Sequence, residues 1–287
     1  MIFQELKRYL KMKLSIIGFV LCFVPVLISV LGTYMEYSEF KSELALNSSD
    51  VNMDVTRKIV YGTDGLTYIM SYFSSSDMFM IFIIISLFVF GAGIFLTGYK
   101  NRNNGFGNMI YTRVDTFKGN VSMIASQFMY IFLFVFAYYF IIVTTLIILF
   151  PITSHTNLTI PMDNPTIFLC LSLLIIQMFM VILFFWICAI ITNALSFFIN
   201  NIFVIAIIPL LVEFLPLVLC SVLSDFNRQA GHYVSGLIPD VYLLAVFDKY
   251  SMDNVTLLTP VIFIVFYSVV AGVLAVLCYK KIKKEYI

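Results

Sequence analysis

The residues able to do chemistry in this chain are few, and the most conspicuous stands in apolar sequence. The stretch IPLLVEFLPL carries a single carboxylate, Glu213, between Pro209 and Pro216. An ionisable side chain within a bilayer is costly and by default functional, and each proline leaves a backbone carbonyl without its helical donor. Glu213 is therefore a candidate for a substrate or proton path. The competing readings are structural: a place near the outer interface on a shortened helix, or a hydrogen bond to a neighbouring one. His155 and His232 lie far apart in polar segments and form no HExxH or other ligand pattern. The five cysteines, Cys22, Cys170, Cys188, Cys220 and Cys278, sit in apolar runs without CxxC spacing, which points to packing and away from disulfides or zinc. Neither a GxxxxGK[ST] phosphate loop nor a GxSxG elbow occurs, so no enzymatic activity is expected and any ATP dependence must come from a partner. Gln177, Trp186 and Asn193 are weaker signals, because polar residues at span ends and Trp at interfaces are ordinary. Gly91 and Gly93 are expected to permit close helix packing.

These residues sit in a chain for which water is not the main solvent. Of 287 residues 61% are hydrophobic and 11% charged, with a mean hydropathy of +1.00. Soluble domains carry about 25% charged residues. The net charge of +1 and the lack of a dense basic patch exclude nucleic acid as a partner. The expected fold is all-α, a single polytopic transmembrane domain with six spans at about 14–34, 78–98, 121–150, 167–191, 197–219 and 258–279. Thr192, Asn193, Ser196, Asn200 and Asn201 mark a tight hairpin between the fourth and fifth.

Positive residues favour the cytoplasmic side of a membrane. Twelve of the seventeen lysines and arginines fall in the N-terminal segment, the loop 100–120 and the C-terminal tail. Both termini are thus expected in the cytoplasm, which requires an even number of spans. The connectors 35–77, 151–166 and 221–257 then face outward, and the first carries Glu36, Glu39, Glu43, Asp50, Asp54, Asp64 and Asp77. That acidic segment is either a solvated surface or an attraction for cationic substrates. The third is unusually apolar at 241–247 and is expected to lie back against the membrane or the bundle, with room for a short re-entrant helix. Ahead of the first span, Phe3, Leu6, Leu10 and Leu14 recur at helical spacing beside Lys7, Arg8 and Lys11, which is either a helix over 2–13 lying among lipid headgroups or only a basic flank that obeys the charge rule. Inside, the centre of loop 100–120 can form about two turns of helix after a flexible Asn-Gly-Phe-Gly. Such a helix either docks on a cytosolic partner or is a solvated basic connector.

An interfacial basic helix, six spans with both ends inside and a short cytoplasmic helix between spans two and three together resemble the membrane subunit of type-2 ATP-binding-cassette exporters. The likeness is nearest in the loop, where Asn104-Gly105, Met109-Ile110-Tyr111, Arg113 and Lys118 look like the family's arrangement. The resemblance implies a homodimer, or a heterodimer with a related permease, in a bacterial inner or plasma membrane. Each copy would dock on a separate cytosolic ATPase that binds the ATP, so this chain would carry no cofactor. Asn104, Gly105, Met109, Ile110, Tyr111 and Arg113 would couple to the ATPase, and the turn 192–201, with Asn193, would be a second contact. A chain of this size resembles the branch exporting small peptides, antimicrobial ones included, or drugs. Two other classes compete: an ion-coupled secondary transporter, and a membrane protein that sequesters a peptide without pumping it, as an immunity or sensor subunit.

Overall fold

A computed structural model of the chain describes residues 2–46, 69, 72–73, 77–97, 99–100, 116–150, 167–226 and 258–286. Every element among them is helical. In chain order these are α1 (Ile2–Leu10), α2 (Lys13–Leu46), α3 (Asp77–Phe90) running into a π-helical turn (Gly91–Phe95), α4 (Thr116–Leu149), α5 (Ile167–Leu195), α6 (Ile202–Phe226) and α7 (Leu258–Tyr286). Four stretches are long and apolar enough to cross a membrane: Lys13–Glu39, Val121–Leu149, Leu171–Leu195 and Ile202–Phe226. Shorter apolar helical stretches lie at Phe79–Phe95 and Val265–Cys278. The chain is a helical membrane protein.

Several helices outrun the apolar sequence that defines their spans. α2 continues to Leu46 because 35–46 holds no glycine or proline and carries good helix formers, with Glu at 36, 39 and 43 and Leu-Ala-Leu at its end. Ser38 and Ser42 turn their hydroxyls back onto the carbonyls of Met35 and Glu39. α6 begins only at Ile202, since Asn201 accepts the Phe203 N–H through its side-chain oxygen at 2.9 Å, an N-cap. The polar run 192–201 thus ends one helix and starts the next.

α5 is the central helix, packed on α4, α6, α7 and the π turn, while α2 lies against α3 and α4. Between helices in lipid there is no water to expel, so packing and polar contacts decide which faces meet. The buried faces are aromatic. Tyr138 stacks on Phe82 with centroids 3.5 Å apart, and Phe90 meets Phe134 and Phe185 edge-on at 5.1 and 5.2 Å. Each such pair contributes about 0.5–1.5 kcal/mol beyond its burial. The opposite faces of α2 and α6 expose Ile17, Val24 and Ile28, and Phe203, Leu211 and Val218, as contact with acyl chains requires.

Glycines bring α3 close to two neighbours. A Cβ on Gly91 would run into the Ala206 carbonyl oxygen and lie 3.1 Å from the Pro209 ring, and one on Gly93 would lie 3.0 Å from Leu14. The close packing expected at both positions is what they provide. Gly18 does the same for α2, against Val89.

α1 divides its apolar face. Leu6 and Tyr9 are buried against α4, with the Tyr9 ring edge-on to Tyr130 at 6.2 Å, whereas Phe3 (79% exposed) and Leu10 (51%) face outward. The Ser15 hydroxyl donates to the Tyr9 carbonyl at 2.8 Å and fixes the bend at Lys11 and Met12.

Candidate functional site

The starts of α2, α4 and α6 and the ends of α3, α5 and α7 share one end of the bundle with α1. There a polar cluster is buried among apolar side chains. Asn193, in the last turn of α5, donates through Nδ2 to Gln127 Oε1 at 2.7 Å and to the Ala189 carbonyl at 2.8 Å. Gln127, on α4, donates in turn from Nε2 to the Ile94 carbonyl in the π turn at 3.3 Å. The Thr97 hydroxyl donates to that same carbonyl. Asn193, Gln127 and Thr97 are all buried. One amide chain therefore ties α5 to α4 and α4 to the π turn.

A second tie lies just outside it. Tyr99, on the stretch leaving α3, donates to the Asn200 carbonyl in the α5–α6 turn at 2.6 Å. The turn is braced from within by Thr192, which bonds to the Cys188 carbonyl at 2.7 Å, and by Ser196, which bonds to that of Asn193 at 2.6 Å. The segment 101–115 thus leaves from a stem tied to the α5–α6 turn and returns into a helix tied to Asn193. Beside this clasp is Tyr9, whose hydroxyl burial pushes up in pKa, with Thr97 and Ser126 acting in the opposite direction.

Nearer the other end runs a second polar line. Tyr72 and Tyr138 share a hydrogen bond of 2.8 Å, Tyr139 donates to Gln177 Oε1 at 3.0 Å, and Gln177 Nε2 donates to the Phe73 carbonyl at 2.8 Å. These groups join residues preceding α3 to α4 and α5. Glu213 belongs to neither line. It is 2% exposed on the inner face of α6, within electrostatic reach of Cys188, with buried Pro209 and Pro216 on the same face.

Of the residues expected to couple to an ATPase or to line a path, Asn193 and Glu213 are among the described ones. Asn104, Gly105, Met109, Ile110, Tyr111 and Arg113 lie outside the described residues, as does 241–247. Asn193 points inward at 4% exposure, so the surface of its turn belongs to Phe198, Asn200 and Asn201. Gln177 is fully buried and bonded on both sides, more than an ordinary span residue. Gln127 and Tyr99 are not among the residues that stand out in the sequence. The available signal for Gln127 was a lone amide in the apolar run SMIASQFMYIF, which in a membrane calls for a partner on another helix. Compared with protein-family models, with curated proteins and with solved structures, the chain matches none.

Proposed function

We propose that this protein is the membrane-spanning permease subunit of an ATP-binding-cassette exporter, driven by a separate cytosolic ATPase. The observation that carries the reading is the double tie at the stems of 101–115. A segment docked on a partner is of use only if its movement reaches the bundle, and here each stem is hydrogen-bonded to the end of α5 or its turn. Displacing 101–115 would pull on α3 and α4 and, through Tyr99 and Gln127, on the hairpin between α5 and α6. Nucleotide-dependent closure of the partner would then select one packing of the helices over another.

In this reading α3 and α7 complete six spans with both termini in the cytoplasm, α1 lies in the headgroup region, and the permease pairs with a copy of itself or a related subunit. The acidic outer segment and the apolar spans suit a hydrophobic or amphipathic cargo, a small cationic peptide above all. Buried Glu213 between two prolines favours one second reading, an ion-coupled transporter.

Mild detergent extraction of the tagged protein from its host, followed by mass spectrometry, separates the two. A Walker-motif ATPase should accompany the wild-type chain and be lost when Met109 and Tyr111 are both replaced by Asp. Its reproducible absence from the intact wild-type protein would overturn the exporter reading. Unchanged association of the Asp variant would remove 101–115 as the contact.

A further inference from the structure

An apolar groove of about 300 Å³ runs along the lipid-facing side between α2 and α4, beneath the end of α1. Leu10, Ile16, Phe19, Leu133 and Ala137 are among its walls, together with Ser15 and Tyr130. Leu10 and Ser15 both line it, so the short segment between them crosses its rim. That segment carries Lys11 and Lys13, both exposed, and Lys7 is exposed one helical turn earlier. Arg8, by contrast, pairs with Glu5 at 3.4 Å. The rim is also where the 34-residue α2 begins, so the positive end of its dipole adds to the two lysines.

The geometry points to a specific site for an anionic phospholipid: one acyl chain lies in the groove, and the phosphate is held at the α1–α2 bend by Lys11 and Lys13. The groove and the charges belong together for a physical reason. A zwitterionic lipid would fill the groove equally well, but its own ammonium group offsets its phosphate, so it brings no net negative charge to the two lysines at the membrane surface. A free phosphate would meet the lysines but leave the groove to compete for any passing chain. From Tyr130 to Ala137 the wall extends about 10 Å at about 1.5 Å per residue, enough for the upper part of one chain. Because Ser15 fixes the bend through the Tyr9 carbonyl, the bound lipid would brace α1 against α4. The site requires only that the chain lies in a bilayer and does not depend on the exporter reading.

Native mass spectrometry of the purified full chain tests it, with phosphatidylglycerol or phosphatidylcholine added to the detergent. One phosphatidylglycerol should be retained per chain, in preference to phosphatidylcholine. A basic residue near an anionic lipid surface is worth roughly fivefold in affinity, so K11Q/K13Q should weaken retention about thirtyfold. Ala137→Phe, which fills the groove, should weaken it with both lysines present, and Leu133→Phe serves if that variant does not fold. K280Q, at the same end of the bundle but away from the groove, should change nothing. Equal retention of the two lipids, an equal loss in K280Q, or full displacement by inorganic phosphate would each overturn the site.

Discussion

Gln127 and Asn193 show how one hydrogen bond between amides can matter in a membrane. Both are buried, and Asn193 Nδ2 supplies the donor to Gln127 Oε1, so losing either residue breaks this link between α4 and α5. Leucine at either position should lower stability by about 1–3 kcal/mol, while the double replacement should cost less than the sum, with a coupling of about 0.6 kcal/mol. Thermal unfolding in detergent, run as a double-mutant cycle, reads this directly, and strict additivity would mean that the two amides do not support one another. If the clasp relays movement, Q127L/N193L should also export poorly while still retaining its ATPase. Glu213 calls for a different replacement. Glu213→Gln keeps shape and volume but cannot ionise, and we expect normal expression with reduced export. Wild-type export by this variant would make the carboxyl a packing residue.

At the scale of elements, the junction of the π turn with α6 is a place where two backbones nearly touch. A π turn inserts an extra residue into a helix and is common where helices must do more than pack. Here it presents the Ile94 carbonyl to Gln127 while Gly91 lies against the backbone of Ala206. Gly91→Val should therefore drive α6 away and cost about 1–3 kcal/mol, as overpacking does. Gly272→Ala, where the added methyl meets nothing within 4 Å, should be neutral within about 0.5 kcal/mol. Similar thermal shifts for the two variants would contradict the close approach. α1 is the other element with a divided role, held on α4 by Leu6 and Tyr9 and presenting Phe3 and Leu10 outward. The periodicity points to an amphipathic helix over 2–13, whereas α1 ends at Leu10 before the bend, and spacing could not show that half of the apolar stripe is taken by another helix.

For the whole molecule, charge is what argues for the proposed arrangement across the membrane. In that arrangement, with both termini inside and six spans, cysteines introduced at Asp50 and Asn103, in a variant lacking the native ones, should react with an impermeant maleimide from opposite sides. Reaction from the same side would break the six-span arrangement. What the sequence determined by itself is the solvent and the helical class. Long uncharged runs such as 14–32 must bury their backbone polar groups in helices, whatever their neighbours. It also marked the α5–α6 hairpin, because Asn, Ser and Thr compete with a helix for its own hydrogen bonds. Only the tertiary structure decided which polar residues meet. Gln127, Asn193 and the Ile94 carbonyl come from three separate stretches of chain, and nothing in local spacing indicates that they are neighbours. The helices carry apolar residues all round, so hydropathy cannot tell an inner face from a lipid-facing one. That choice rests on shape and hydrogen bonding: glycines where backbones nearly touch, stacked aromatic rings, and amides that find partners across helices.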